Sequence, residues 1–387
     1  MTGTLNIGMV GYAFMGAVHS QAWRTAGRFF DLPLTPELAV LCGRDAANTQ
    51  AAAQRMGWAA VETDWKALVR RDDVDLVDVC TPGDTHAEIA IAALEAGKHV
   101  LCEKPLANTV DEARAMVAAA ARAAERGVHS MVAFNYRRVP ALALARRLVE
   151  EGRIGEIRHV RAVYLQDWIV DPEFPLVWRL QKDKAGSGAL GDIGAHIVDA
   201  AQFVTGDRLT GVSALTETFI KERPLVGESS GLAATATSQR GTVTVDDAAI
   251  FFGRFAGGAV ASFEATRFAT GRKNALRLEV NGSLGSLAFD FEYMNELSVY
   301  EAGDDTAGFR RVLVTEPTHP YTGAWWPPGH GLGYEHTFTH EIADLVRDLG
   351  AGTAPTPSFA DGLQVQLVLE AVERSAAEGS RWEEIGE

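Results

Sequence analysis

Cysteine is scarce: Cys42, Cys80 and Cys102 are the only three in 387 residues, and no two form a CxxC pair. That excludes a disulfide scaffold and a cysteine-based zinc site. Each closes an apolar, strand-like run, the place of a small buried hydrophobe in a reducing cytoplasm. Positive charge is also short, with 36 Lys and Arg against 51 Asp and Glu and a formal net charge of −15. Such a chain does not suit nucleic acid or an anionic membrane surface. No uncharged apolar run approaches the roughly 18 residues of a membrane span. The opening MTGTLNIGMVG has no basic segment followed by a long apolar core, so no signal peptide is expected. Repeats and low-complexity tails are missing too. What remains, 47% hydrophobic and 22% charged, is a globular composition. Its length predicts two domains.

The first third reads as alternating strands and helices. Leu5 to Val10 is an apolar strand running into Gly11-Tyr12-Ala13-Phe14-Met15-Gly16, followed by a helical pattern to about Ala26. Strand, glycine turn and helix form the context a dinucleotide fingerprint needs. Gly11 permits the tight turn and Gly16 close packing of helix on strand, while Ala13 replaces the middle glycine. Amides at the helix start would hold phosphates. Further strands at Leu38–Cys42, Asp75–Cys80, His99–Cys102 and His129–Phe134 alternate with helices at Asp45–Gly57, His86–Ala96 and Val110–Arg126. This pattern predicts an α/β domain with a doubly wound parallel sheet over residues 1–134, with ligands beyond the carboxyl ends of its strands.

Three strand ends carry candidate chemistry. After the second strand, Gly43 stands where an acid often binds the ribose of NAD, and Arg44 follows, which points to NADP or to dual use. Asp45 also fits as the cap of the next helix, with Arg44 in water. Thr81-Pro82 ends the next strand and sets His86 at a helix start, either as a cap or in contact with ligand. Glu103-Lys104-Pro105 ends another. There Lys104 is either a donor to a substrate hydroxyl or a surface lysine paired with Glu103.

From Asn135 the pattern changes. A helix at Val139–Glu151 takes Pro140 in its first turn, and Ile157–Leu165 is a strand leading to Gln166, Asp167 and Trp168. Later strands fall at Thr210–Ile220, Val245–Phe255, Ala259–Thr266, Leu276–Val280, Ser286–Phe291, Leu297–Tyr300 and Val312–Val314, with hairpin turns at Gly257-Gly258 and Asn281–Gly285. They predict a sheet-based substrate-binding and oligomerisation domain over 135–387. Lys221–Thr244, polar and rich in small residues, is expected to be a mobile or subunit-contacting loop. An aromatic, glycine-punctuated loop from Trp325 to Tyr334 precedes helices at about 335–349 and 359–378. Tyr334 suits a sugar surface.

Within the second domain lies GSGALGDIGAHIVD, residues 186–199. On a helix, Asp192 and His196 stand one turn apart, and with Asp199 they fall within roughly 60° of one face. A carboxylate one turn from an imidazole fixes its tautomer or raises its basicity, as a proton-transfer group requires. A solvated Asp and a core His at a helix end give the same spacing.

The fingerprint, CTPxxxH at 80–86, EKP at 103–105 and GxGxLxDxGxHxxD at 186–199 together resemble the Gfo/Idh/MocA oxidoreductase family across nearly the whole chain. FNYRR at 134–138 and YLQDW at 164–168 are similar to its levoglucosan and inositol dehydrogenase branches. The resemblance implies a Rossmann domain followed by a large, mostly antiparallel open sheet, with a nicotinamide cofactor, NAD or NADP. It also implies a carbohydrate or cyclic polyol substrate and a homodimer or homotetramer. By motif, Lys104, Asp192 and His196 would be catalytic. Gly11, Ala13, Phe14, Met15 and Gly16 would line the pyrophosphate turn, Thr81, Pro82 and Glu103 would border the nicotinamide, and Arg44, His86 and Lys104 are further candidate cofactor contacts. Asn135, Tyr136, Arg137, Gln166, Asp167, Trp168, Arg179 and Tyr334 are candidate substrate contacts. No resident metal is expected, because Asp192 and His196 have no tight cluster of further ligands near them in the sequence. An NAD-dependent glycosidase and a dinucleotide-binding regulator are the alternative functions.

Overall fold

A computed structural model describes residues 3–230, 233–303 and 305–386. The chain forms two compact units, one built chiefly from Met1–Asn135 and Tyr334–Gln366, the other from Tyr136–Ser229, Ala234–Gly333 and Leu367–Glu387.

The first unit runs β1 (Gly3–Val10), α1 (Phe14–Phe29), β2 (Leu34–Cys42), α2 (Ala46–Met56), β3 (Ala60–Glu62), α3 (Trp65–Val69), β4 (Leu76–Val79), α4 (His86–Glu95), β5 (His99–Glu103), α5 (Val110–Ala124) and β6 (Ser130–Ala133). All six strands are parallel, in the order β3-β2-β1-β4-β5-β6, which is the doubly wound order. Strands covered on both faces must be apolar throughout, and Ile7, Met9, Val40, Leu41, Val77, Val100, Leu101 and Val132 are all fully buried. Asp45 caps α2 by accepting from the Asn48 amide at 2.7 Å, and Gly57 ends it in the left-handed region. Thr109 and Glu112 form a reciprocal capping box on α5.

The second unit continues with α6 (Pro140–Glu150), β7 (Ile157–Leu165), α7 (Lys182–Ala185), α8 (Ala195–Thr205), β8 (Leu209–Glu217), β9 (Glu222–Ser230), β10 (Ala233–Thr242), β11 (Ala248–Phe255), β12 (Val260–Thr266), β13 (Ala275–Gly282), β14 (Gly285–Asp290), β15 (Glu296–Glu301) and β16 (Arg310–Leu313). After these come α9 (Tyr334–Ala351), α10 (Phe359–Ala377) and β17 (Glu383–Glu384). Nine strands make one open sheet, β16-β15-β14-β13-β7-β12-β11-β8-β17, antiparallel except where β7 lies parallel to β12. Helix α8 packs on β7 and β13.

Two sequence expectations are corrected here. Lys221–Thr244 is no mobile loop: β9 and β10 pair as a two-stranded ribbon, although Gly231 and Leu232 lie outside the described residues. The fully buried Arg223 anchors it, donating to the Ile169, Asp171 and Phe174 carbonyls. The boundary after residue 134 also fails to describe the C-terminal part, because Tyr334–Gln366 belongs to the first unit, where α9 packs on α1.

A buried ion cluster ties α1 to the parallel sheet. His19 on α1 places Nδ1 3.0 Å and 3.1 Å from the two carboxylate oxygens of Asp78 on β4, and Nε2 2.9 Å from Glu103 on β5. Burial drives the imidazole toward neutrality, but Asp78 and Cys80 together outweigh it and hold the proton well above the usual histidine range. A group bound more tightly to its proton in the folded state stabilises the fold fully below its unfolded pKa of about 6.5. That contribution is lost as pH rises through the folded value. The stability advantage of the protein over His19→Gln is therefore expected to be largest below pH ~6.5 and to shrink above it by up to about 1.4 kcal/mol per pH unit. Denaturant unfolding across this range measures it; an advantage unchanged by alkaline pH contradicts it.

Candidate active site

The β1–α1 turn is shaped by two steric facts. Gly11 has φ 100°, and a Cβ there would lie 2.7 Å from the Cys80 carbonyl oxygen. A Cβ on Gly16 would collide with the Gly11 carbonyl oxygen, so the helix seats this close to the strand only with glycine. Helix α1 begins with Ala13, without a side-chain cap and without an acid in its first turn. Its first amides and the positive end of its dipole are thus arranged for an anion. Ala13 and Phe14 are exposed around it, and Met15 is half-buried.

At the end of β2, a Cβ on Gly43 would run into the Tyr12 ring. With Tyr12 so placed, no acidic side chain can stand at Gly43. Arg44 is exposed and Asp45 is the α2 cap. Beyond β4, Thr85 donates its hydroxyl to the Pro82 carbonyl at 2.8 Å, and its oxygen lies at hydrogen-bonding distance, 2.7 Å, from Thr81 Oγ1. His86, 1% exposed, lies with Nε2 2.8 Å from the Thr81 carbonyl and Nδ1 3.0 Å from that of Pro105. It bridges the β4 and β5 loops. Lys104 is half-buried, and its backbone amide donates to Glu103 Oε2 at 3.1 Å. His19, Asp78 and Trp23, whose Nε1 donates to Asp78 at 2.7 Å, were not singled out from the sequence. The available signal was an aspartate inside the apolar strand DLVDVC.

In the second unit the stretch from Leu190 to Gly194 is a single π-helical turn that becomes α8 at Ala195, with the Ala195 amide donating to Leu190. Wide turns of this kind recur at functional sites. Asp246 fixes its entry, accepting from the amides of Gly188 at 2.7 Å and Leu190 at 2.8 Å. A Cβ on Gly188 would collide with the Asp246 backbone, which explains the glycine of the motif.

His196 is 7% exposed, with its ring centroid 4.6 Å from that of Tyr136 and 6.0 Å from that of Tyr164. The two phenol oxygens are 2.6 Å apart, and Tyr164 donates to Asn274 at 2.6 Å. Gln166 also donates to Asn274, at 2.8 Å, and accepts from Trp168 Nε1 at 3.0 Å. Burial raises the Tyr136 pKa, with the Asp192 charge adding to it against the two phenol hydrogen bonds, so this phenol stays protonated. Asp192, with a 28% exposed side chain, faces the fully buried Arg267 at 3.6 Å. Arg267 also donates to the carbonyls of Arg179 and Asp246.

The remaining candidates separate. Asp199 takes a bidentate ion pair from Arg137, at 2.5 to 3.1 Å, with both side chains nearly buried. Asp167 accepts from Lys273 at 2.7 Å and the Gly271 amide at 2.9 Å, which hold its carboxyl below the usual range. Arg179 stacks on Trp178, and burial lowers its pKa against the pull of Asp192. In the first unit Asn135 donates to Thr337 at 2.9 Å, and Tyr334 packs edge-on against Phe338. Trp168 lies edge-on to Phe174 and under Arg267. Among the described residues, the one close group of metal-ligand type is His19, Asp78 and Cys80. No described helix is long and apolar enough to cross a membrane.

Comparison with known proteins agrees with this architecture. Residues 5–133 match the oxidoreductase family with an NAD-binding Rossmann fold, and residues 142–288 match the GFO/IDH/MocA C-terminal domain. The levoglucosan dehydrogenase of Pseudarthrobacter phenanthrenivorans is 45% identical over 385 residues, covering 97% of each chain. The crystal structure of an oxidoreductase domain protein from Kribbella flavida superposes with a TM-score of 0.95 at 68% identity, covering 100% of both chains. A levoglucosan dehydrogenase in complex with NADH and levoglucosan gives 0.93 at 44% identity, over 99% of this chain and 100% of that one. With both domain matches in place along a chain whose glycine turn and π-helical motif serve these steric needs, the protein belongs to the Gfo/Idh/MocA family of NAD-binding oxidoreductases.

Proposed function

We propose that this protein oxidises a secondary hydroxyl of a sugar, anhydrosugar or cyclic polyol, with levoglucosan the first substrate to test. The observation that carries this reading is His196. It is a nearly buried imidazole against two phenols, one turn from an aspartate, in a chain 45% identical to a levoglucosan dehydrogenase along 97% of its length. The uncapped, acid-free start of α1 and the glycines that press it onto β1 fit a dinucleotide pyrophosphate. When bound, the nicotinamide supplies the acceptor for hydride.

The protein's tasks are alignment and charge control. Amides of the α1 turn, around Ala13, Phe14 and Met15, hold the diphosphate, Thr81, Pro82 and Glu103 border the nicotinamide, and the buried His86 holds the Thr81 and Pro105 backbone in place. His196 takes the hydroxyl proton at Nε2, a reading that the enclosure of Nδ1 supports. Asp192 orients the imidazole or binds a neighbouring hydroxyl. Lys104 donates a hydrogen bond to the substrate oxygen as it gains charge. Tyr136, Trp168, Arg179 and Tyr334 serve substrate binding. Asn135 and Asp167 join them only by re-pairing from Thr337 and Lys273.

At the adenosine end, the absence of an acid at Gly43 and the exposed Arg44 support use of NAD with NADP also accepted. The protein acts as a cytoplasmic homo-oligomer. Ile250 and Leu215, register partners on β11 and β8, are 48% and 61% exposed, with Phe252 at 64% on the same face of β11. An apolar patch of this kind marks an interface, and a second copy would cover it. Light scattering tests this, a monomer of 41.6 kDa being the contrary result.

His196→Ala is expected to lower kcat by about 10²–10⁴ while NAD+ still binds, measured by initial rates and by calorimetry. Unchanged turnover would sink the assignment. Lys104→Ala should reduce kcat more than it weakens NAD+ affinity; the reverse pattern makes it a cofactor anchor only. Arg44→Ala should weaken NADP+ binding about tenfold or more, in line with loss of a charge-assisted bond, and leave NAD+ unchanged. Equal effects on both would remove Arg44 from the recognition of the 2′-phosphate.

A further inference from the structure

Glu103 belongs to two networks at once. Its Oε1 is 2.9 Å from His19 Nε2, and its Oε2 accepts the backbone N–H of Lys104 at 3.1 Å. On the far side of the imidazole, Nδ1 is 3.0 Å and 3.1 Å from the Asp78 oxygens. A neutral ring has one N–H and would turn a lone pair toward one carboxylate. A doubly protonated ring donates on both sides, and it alone satisfies both contacts without protonating an acid. Trp23 Nε1 donates to Asp78 at 2.7 Å, which fixes that carboxylate in turn. The cluster is sealed: His19 and Asp78 are 0% exposed and Glu103 is 5% exposed, with the Phe338 ring 5.5 Å from the imidazole. His19, Asp78 and Cys80 lie within the spacing of a metal site. However, both ring nitrogens already sit at hydrogen-bonding distance from acids, and the arrangement is that of a hydrogen-bonded ion triad.

We propose that His19 is a positioning residue for Lys104, acting through the Glu103 carboxylate on the backbone from which the lysine side chain departs. This rests on the reading of Lys104 as the donor to the substrate oxygen. The lysine head sits at the end of a flexible four-carbon stem, so its aim depends on the orientation of its own backbone. A strand end is where that orientation is least constrained by the ladder. Glu103 supplies the missing constraint, and His19 holds Glu103 to one geometry. Displacement of a catalytic group by about 1 Å can cost on the order of 10²-fold in rate, so the effect appears in kcat rather than in binding.

The test uses the full chain with levoglucosan and NAD+, comparing Glu103→Gln, Glu103→Ala and His19→Gln. Kcat, KM for the sugar, the NAD+ Kd by calorimetry and the Tm are read for each. In Glu103→Gln the amide oxygen can still accept the Lys104 N–H, so kcat should fall clearly less than in Glu103→Ala. Glu103→Ala and His19→Gln should lower kcat tenfold or more, with KM and Kd within about threefold. The proposal is overturned if Glu103→Ala keeps parental kcat, or if its loss falls equally on NAD+ affinity and Tm, as a structural lesion would produce. It is also overturned if Glu103→Gln falls as far as Glu103→Ala, because charge rather than placement would then matter. If His19→Gln does not fold, the two Glu103 variants decide the question. Failure of the underlying reading is separate: it appears as parental turnover by Lys104→Ala or no turnover by the parent.

Discussion

An imidazole with a carboxylate at each nitrogen, closed off from water, is the constraint on which the first unit depends. Buried charges persist only when paired and hydrogen-bonded, and removing one partner from such a group costs about 3–5 kcal/mol. His19 sits on the helix of the glycine fingerprint, Asp78 and Glu103 on the two strands whose ends carry Thr81 and Lys104. One ion cluster therefore sets the seating of the phosphate-facing helix and the spacing of the adjoining strand ends together.

The second unit solves a different problem, that of presenting an imidazole in a dry wall of rings without losing its orientation. Asp246 pins the entry of the π-helical turn through two amides, and Arg267, fully buried, spans the Asp192 carboxylate and two backbone carbonyls. The Tyr136 and Tyr164 phenols are chained to Asn274 and Gln166. Chained hydrogen bonds of this sort rigidify a site when every member is satisfied. Arg137 and Asp199, 62 residues apart, pair with each other and brace α8 from the side.

The parts of this arrangement legible in the sequence are those governed by local chemistry. Alternating apolar runs place five of the six parallel strands, and Gly11 and Gly16 stand where positive φ and close approach demand them. β7 is found to the residue. β3, at three residues, is too short to show a period, and β9 carries Pro224 and Gly227, which mask a strand that its own Arg223 ties to the distant Ile169 carbonyl. The His19–Asp78–Glu103 cluster joins positions 59 and 84 residues apart, a relation no window of sequence contains. For the same reason Asp199 reads as part of the Asp192–His196 face until the distant Arg137 claims it. Tyr334–Gln366 returns to the first unit because the face it buries is on α1, far upstream.

The reaction proposed for this chain passes a carbon-bound hydrogen directly from a sugar to the nicotinamide. Incubating the protein with NAD+ and levoglucosan deuterated at its ring carbons, then weighing the reduced cofactor by mass spectrometry, measures that transfer. One deuterium in each molecule of reduced nicotinamide is the predicted result. Reduced nicotinamide that carries none, or intact NAD+ after the sugar has been consumed, would contradict it.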